Sequence, residues 1–201
     1  MKIRKITVIL FVGPVIVASV LAIGTHFLDF VKKNAFRAAC AKNMSVLSKA
    51  LREYADEYGK YPTPDKWCDL LQTISCVSQE RFLCRISGSP KVWSSEDSNE
   101  EQHLSGKVIL LREYNDVNGR HKYLYSIAWS NYAINPDVEP NSPKDVVLLF
   151  ETKGGWNQFG GEKLLTFDNH LRIGTNVLFH DGIVRFIKPK DVSKLNWGKG
   201  N

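Results

Sequence analysis

The residue types that could do chemistry at close spacing lie near the C-terminus. They are Asp168, His170, His180 and Asp181. Imidazole and carboxylate groups of this kind can hold a divalent metal and activate a water molecule. The competing interpretation is structural, because Asp181 and Gly182 form a dipeptide typical of a hairpin turn and His170 can donate a hydrogen bond to a loop carbonyl. We favour the structural interpretation and expect no catalytic residue, no bound metal and no cofactor.

Sequence motifs of known enzymes give no support to catalysis. The chain contains neither a GxSxG nucleophile motif nor an HExxH zinc motif. We therefore predict that the protein is not an enzyme.

Four cysteines form an even set in the first half of the folded region: Cys40, Cys68, Cys76 and Cys84. Their spacings of 28, 8 and 8 residues contain no CxxC pair, which argues against a zinc cluster. An even, clustered set is typical of disulfides in an extracytoplasmic compartment. Of the three possible pairings we prefer Cys40 with Cys84 and Cys68 with Cys76, and free buried thiols are the alternative.

One long helix is predicted to position these residues. The segment Ile6–Leu28 contains no Asp, Glu, Lys or Arg, and at 1.5 Å per residue it can span a bilayer core of about 30 Å. In Phe36–Tyr58 apolar residues recur at steps of three and four, with charged residues between them. No Gly or Pro interrupts the junction of the two segments. We therefore expect a membrane helix that continues as an amphipathic helix and ends at Gly59.

Charge and hydropathy restrict the function and the compartment. The chain carries 27 Lys and Arg against 21 Asp and Glu, and Lys2, Arg4 and Lys5 precede the apolar run. The rest is near neutral without a basic run, which excludes a nucleic-acid-binding role. The apolar run is longer than a usual signal-peptide core, so we expect a retained anchor. Basic residues flank the run on both sides, so charge leaves the orientation open, whereas the cysteines favour an extracytoplasmic head.

The remainder of the chain predicts short helical turns followed by an antiparallel sheet. Thr63 is the expected cap of a short helix with Trp67, Leu70 and Leu71 on its inner face. The serine-rich acidic segment 85–107 is expected to be a mobile loop. The predicted strands are Val108–Tyr114, Lys122–Trp129, Asp145–Thr152, Asn176–Phe179 and Ile183–Ile187.

The expected class is therefore α+β, with a long N-terminal helix packed on a small antiparallel sheet. We divide the chain into an anchor, residues 1–30, and one extracytoplasmic domain, residues 31–201. Asp145–Thr152 is predicted to be central in the sheet, because its run of apolar residues suits a strand buried on both faces. The glycine-rich segment around Trp156 is interpreted as a structural turn rather than a ligand loop. The tail is expected to pack through Leu195 and Trp197.

Several short motifs occur in a fixed order along the chain. They are residues 37–44 on the helix, Tyr61-Pro62, Phe82-Leu83-Cys84, Asn131-Tyr132-Ala133-Ile134-Asn135, Glu151, Gly160-Gly161, His170 and residues 174–182. This order resembles the pilin and type II secretion pseudopilin class. The similarity is closest to pilin-like proteins with a C-terminal His-x9-Asp-Gly signature, abundant in planctomycete-like bacteria.

Two features depart from that family. Ten residues rather than nine separate His170 from Asp181. Members of the family also have a Gly before the apolar segment, for a dedicated peptidase, and a Glu five residues into it. Here Gly13 is followed by Pro14 and the span holds no Glu, so the chain has no clear prepilin peptidase site.

The resemblance implies a membrane-anchored structural or secretion-associated protein without catalysis. It would be a single-pass inner-membrane protein with its head in the periplasm or extracytoplasmic space. Its implied partners are the membrane and, through the N-terminal helix, further copies or other pilin-like subunits, with filament assembly left open. One alternative is a monomeric anchored module that binds a glycan or peptide near Trp156. Another is a metal-dependent enzyme that uses the Asp168, His170, His180 and Asp181 group.

Overall fold

The computed structural model describes residues 3–84, 92–94, 107–115 and 121–198. Within these ranges, side chains are described for residues 19, 21–28, 30–84 and 129–198. The chain divides into two compact units, Met1–Arg37 and Ala38–Asn201. The helix α1, Ile3–Tyr58, contributes residues to both units.

The first unit is helical from Ile3 onward. Every large apolar side chain that is described in its segment 21–31 is exposed to solvent: Leu21, Ile23, Phe27, Leu28, Phe30 and Val31. Among the residues with described side chains, no helix is both long and apolar enough to cross a membrane. The predicted anchor Ile6–Leu28 lies partly outside that set, because the side chains of residues 6–18 and 20 are not described.

In the second unit, the continuation of α1 buries one face. Met44, Leu47 and Leu51 are fully buried and Tyr54 is nearly so, at the three- and four-residue steps that the sequence predicts. The face ends at Tyr58, which is 45% exposed. The Gly59 backbone N–H then donates to the Ala55 carbonyl at 2.8 Å with a φ of 69°, a left-handed conformation that suits glycine and ends the helix.

Two antiparallel sheets are formed by the described strands of this unit. One contains β1 (Val92–Ser94), β2 (Lys107–Asn115) and β3 (His121–Ala128), in the order β1-β3-β2. The other contains β4 (Ser130–Ile134), β5 (Val147–Gly155), β6 (Thr175–Phe179) and β7 (Val184–Ile187), in that order. A long helix packed on a four-stranded antiparallel sheet confirms the α+β class.

Helix α1 and the four-stranded sheet share the main core. Leu47 and Leu51 belong to one buried cluster with Leu148, Leu149 and Leu178 from β5 and β6. A second cluster contains Val147, Phe150, Val177 and Trp197. Strand β5 therefore contributes to two cores, and its position between β4 and β6 confirms the prediction of a central strand buried on both faces.

The short helical elements follow the prediction. A 3-10 turn at Pro64–Lys66 leads into α2, Trp67–Thr73, which buries Trp67 and Leu71. Thr63 precedes the turn, but its side chain makes no capping hydrogen bond. The predicted N-cap position of Thr63 is confirmed without a side-chain bond, and Pro64 with its fixed φ favours the turn.

Both predicted hairpins are present among the described strands. β2 pairs with β3 and β6 pairs with β7, each antiparallel. The predicted turn between β2 and β3 falls in residues 116–120, outside the described part. The tail also packs as predicted, because Trp197 is 3% exposed and stacks edge-on against Phe150 at 5.0 Å.

Two described strands are absent from the set predicted from the sequence. Val92–Ser94, inside the expected loop 85–107, pairs with β3, because Val92 and Trp93 have the side chains that favour strands. The rest of that loop up to residue 106 lies outside the described part. β4 is the second of these strands, and every residue in it is buried. The polar residues Ser130 and Asn131 and the nearby Pro136 are not typical of a buried strand, so the sequence does not predict it.

Candidate functional site

Four buried side chains bring metal-ligating atoms together in the second unit. Their sulfur, carboxylate oxygen and imidazole nitrogen atoms all lie within 4.8 Å of one another. We call this group the buried donor cluster; its members are Cys40, Cys84, Glu151 and His170. Each member comes from a different part of the fold: α1, the segment after the 3-10 turn Gln79–Phe82, β5 and the 3-10 turn Asp168–His170.

Glu151 is the anionic member of the cluster and is completely buried. Its Oε1 accepts hydrogen bonds from His170 Nε2 at 2.9 Å and from Asn176 Nδ2 at 3.0 Å. Its Oε2 accepts from Thr175 Oγ1 and from the Asn176 backbone N–H, both at 3.1 Å. Four donors compensate for the lost hydration of the carboxylate, which is the condition for keeping such a group in a core.

His170 is held beside Glu151 by bonds from its own loop to β5. The Thr166 backbone N–H donates to the Glu151 carbonyl at 3.0 Å, and Asn169 Nδ2 donates to the Thr152 carbonyl at 2.9 Å. Burial lowers the pKa of His170, but the Cys84 thiol and the Glu151 carboxylate outweigh it and raise the pKa to about 9. The raised pKa favours the protonated imidazole beside the Glu151 carboxylate.

The two cysteines of the cluster are thiols in the structure. Cys84 Sγ lies 4.0 Å from His170 Nε2, and the hydrogen bond with Cys40 together with burial raises the pKa of the Cys84 thiol strongly. The Cys84 backbone N–H donates to Asn131 Oδ1 at 2.9 Å, which fixes the segment against β4. The Tyr132 hydroxyl donates to the Cys40 carbonyl at 3.4 Å, which links β4 to α1.

Of the four residues singled out from the sequence, His170 alone belongs to the buried donor cluster. Asp168 is half-exposed and pairs with Arg172 at 3.1 Å. His180 packs edge-on against Tyr61, and its carbonyl accepts a hydrogen bond from Arg52. Burial and the Arg52 charge lower the pKa of His180, so its imidazole is neutral at pH 7.

Asp181 shapes the β6–β7 hairpin. Its Oδ1 accepts from the Ile183 N–H at 2.8 Å and its Oδ2 from Arg185 at 2.6 Å, while Gly182 has a φ of 82°. This is the structural use that the Asp-Gly pair predicts. Burial opposes the ionised form of Asp181, but the Ile183 N–H and Arg185 hold its pKa below the ordinary value.

Asp181→Asn should lower the free energy of unfolding by less than about 1 kcal/mol at pH 7, since the amide keeps the Ile183 bond and loses only a surface ion pair. A carboxylate with a lowered folded-state pKa stabilises the fold above its unfolded-state pKa, and that contribution is lost as the pH falls through the folded-state pKa. Urea unfolding at pH 7 and at pH 2.5 measures both values. The two proteins should converge at the lower pH, and a constant difference would contradict this role.

The remaining two cysteines lie apart from the cluster. Cys68 is buried in α2, where its backbone N–H donates to Asn157 Oδ1, and burial raises the pKa of its thiol. Cys76 is exposed. The Cys68–Cys76 disulfide stays a prediction, as does the Cys40–Cys84 disulfide, although the structure places the latter two sulfurs within 4.8 Å.

The glycine-rich segment after β5 packs on α2. The Gln158 carbonyl accepts from Trp67 Nε1 at 3.0 Å, and Asn157 Nδ2 donates to Asp69 at 2.7 Å. The Trp156 ring is half-buried and lies 5.4 Å from Phe82. These contacts agree with the structural turn expected from the sequence.

No protein-family model, curated protein or solved structure matches this chain.

The sequence interpretation did not assign Glu151 to a site. One sequence feature could have indicated its role: Glu151 is a single carboxylate directly after the apolar run Val146–Phe150, in a strand expected to be buried on both faces. A charge at such a position requires buried partners. That requirement directs attention to the polar residues Thr175 and Asn176 of the neighbouring strand, which do bind it.

Proposed function

We propose that this protein is a membrane-anchored, pilin-like structural or secretion-associated subunit without a catalytic role. Its inner-membrane anchor is the N-terminal part of α1, and its folded unit lies in the periplasm or extracytoplasmic space. The observation that carries the proposal is the exposed apolar surface of α1, formed by the six large side chains between Leu21 and Val31.

That surface is too apolar for a helix that stays in water. The exposed fractions run from 45% at Val31 to 70% at Ile23. Burial of a large apolar side chain is worth about 1.5–3 kcal/mol, so six of them favour an apolar environment by roughly 10 kcal/mol. Exposed apolar surfaces of this kind mark contacts with a membrane or a partner.

A bilayer fits this surface better than a soluble partner does. Four of the six apolar residues belong to the uncharged run Ile6–Leu28, whose length matches a hydrocarbon core of about 30 Å, and the other two follow Asp29 at its end. Lys32, Lys33 and Arg37 follow directly, where basic side chains can meet lipid headgroups. Apolar residues around the helix also allow contact between neighbouring anchors within the membrane, which is the route by which subunits of this class would associate.

The folded unit supports the pilin-like part of the proposal. A long N-terminal helix whose outer part packs on an antiparallel sheet is the arrangement that the motif resemblance implies. The motifs also have structural uses: Asn131 and Tyr132 fix the Cys84 segment and Cys40, and Asp181 with Gly182 forms a hairpin turn. These uses need no catalytic role.

The anchor is tested by placing charge in it. Leu21→Glu combined with Ile23→Glu should move the full-length protein from the carbonate-resistant membrane fraction to the soluble fraction. Each carboxylate opposes insertion by about 3 kcal/mol near the centre of the span and by less toward its edge. Quantitative immunoblotting of the two fractions measures the change, which we expect to exceed about tenfold.

The control is the same substitution at exposed apolar residues of the folded unit. Leu164 and Ile173 are 39% and 54% exposed, so their replacement by Glu should leave the protein in the membrane fraction. Retention of the Leu21/Ile23 variant in the membrane would contradict the anchor. Chemical cross-linking of the wild-type protein in native membranes then tests association, and monomers alone would favour the anchored binding module.

A further inference from the structure

We propose that the buried donor cluster binds a thiophilic divalent cation of the zinc class and that this ion is structural. The inference concerns the folded unit alone, and it does not depend on the anchor or on the proposed pilin-like role.

The four donors match zinc in type and approximately in position. Zinc binds thiolate sulfur at about 2.3 Å and imidazole nitrogen or carboxylate oxygen at about 2.0–2.2 Å, usually with four ligands in a tetrahedron. Those bond lengths place a ligating nitrogen and oxygen about 3.3 Å apart, and a nitrogen and sulfur about 3.6 Å apart. The corresponding distances here are 2.9 Å from His170 to Glu151 and 4.0 Å from His170 to Cys84. Each pair therefore needs a shift of only a few tenths of an ångström.

Surrounding residues orient the carboxylate for such a role. Thr175 and the Asn176 backbone N–H both bind Oε2 of Glu151, so this oxygen is already fixed. Oε1 faces His170 Nε2 at 2.9 Å, and Asn176 Nδ2 lies 3.0 Å from Oε1 and 3.1 Å from Nε2. A cation would take the place of the proton between Oε1 and Nε2, with the Asn176 amide turned away from it. Hydrogen bonds to the non-ligating atoms of metal ligands fix their orientation in this way.

The protons released and the net charge of the four ligands are both compatible with the binding of a dication. Binding converts the Cys40 and Cys84 thiols to thiolates and releases the His170 Nε2 proton, and all three protons leave to solvent. Two thiolates, one carboxylate and a dication then leave a net charge of −1, which the N–H and O–H donors of Thr175 and Asn176 offset. All four ligands are buried, so the coordination is closed, as in structural rather than catalytic zinc sites.

A disulfide between Cys40 and Cys84 is the competing use of the same thiols. It would engage two of the four converging donors and would leave His170 and Glu151 with no part in the link. A cation engages all four, and it joins α1 to the sheet at Cys40, the first buried residue among the side chains of α1 that the structure describes.

The test measures metal in the full-length protein purified in detergent. After incubation with zinc and desalting, elemental analysis should find about one zinc per chain, and His170→Gln should reduce zinc retention at least about tenfold. Cys76→Ser is the matched control, because it removes an exposed thiol outside the cluster and should retain the ion. With cobalt(II) as a probe, the wild-type protein should show sulfur-to-metal charge-transfer absorption that Cys84→Ser reduces by about half or more, because only the Cys40 thiolate remains.

A second measurement needs no variant and separates the ion from a disulfide. A chelator should lower the Tm of the wild-type protein by about 5 °C or more, and added zinc should restore it, whereas a phosphine reductant should have no effect. A Tm that falls with the reductant and not with the chelator would overturn the proposal in favour of the disulfide. Zinc retention below about one-tenth of an equivalent in folded wild-type protein would also overturn it.

Discussion

Replacing Glu151 by Leu should lower the free energy of unfolding by about 3 to 5 kcal/mol, measured in chelator so that any bound metal is absent. Leucine fills a similar volume but accepts no hydrogen bond. The His170 imidazole, the Thr175 hydroxyl and two N–H groups of Asn176 then lose their acceptor inside the core. Each unsatisfied buried group costs about 1–3 kcal/mol, reduced where a side chain can turn to a new partner.

Glu151→Gln should be intermediate, at about 2 to 3 kcal/mol. Its single carbonyl can keep the bonds from Thr175 and the Asn176 backbone. Its amide nitrogen then faces His170, which must become neutral to accept from it, and the charge-assisted bond is lost. Glu53→Gln is the matched control, because the Glu53 side chain is 58% exposed and only pairs with Lys49 at 3.6 Å. It should change stability by less than about 0.5 kcal/mol.

The ranking of the three variants decides the role of the carboxylate. Urea unfolding followed by circular dichroism gives each free energy, provided that the m-values agree. If Glu151→Leu were as stable as the wild-type protein, the network would be replaceable by apolar packing, as some buried ion pairs are. The carboxylate would then have to be retained for another reason, such as a ligand.

Much of the fold could be predicted from periodicity and turn chemistry. The steps of three and four along α1, the apolar run of β5 and the Asp-Gly turn after β6 each have a local cause that is visible in sequence. β4 could not be predicted in this way. Its polar residues Ser130 and Asn131 are buried because they bond to the backbone of Tyr132 and Cys84, and such partners become known only in three dimensions.

The candidate site illustrates the same limit for functional residues. Cys40 and His170 are 130 positions apart in sequence, and no local spacing connects them. Asp168, His180 and Asp181 are close to His170 in sequence, yet their side chains contact other groups. Spacing identifies metal ligands that lie on one helix or turn, whereas these four donor side chains come from four elements and are brought together by the packing of α1 on the sheet.

That packing is the subject of the second prediction. Leu47→Ala should lower the free energy of unfolding by about 3 to 4 kcal/mol. Leu47 is fully buried in the core shared with Leu149 and Leu178, so the lost methyl groups leave a cavity between helix and sheet. A well-packed sheet collapses only partly into such a cavity, and the cavity adds to the lost transfer free energy.

Leu164→Ala is the matched control, because the same atoms are removed at a residue that is 39% exposed. It should cost less than about 1 kcal/mol. Leu47→Ala combined with Leu51→Ala should leave little folded protein, since single-domain stabilities are only about 5–15 kcal/mol. The two sites are one helical turn apart, so their effects need not add. A small loss at Leu47, near that at Leu164, would mean that the sheet folds without this part of the helix face. Cys40 on α1 would then be held beside the other three donors by contacts other than those of Leu47.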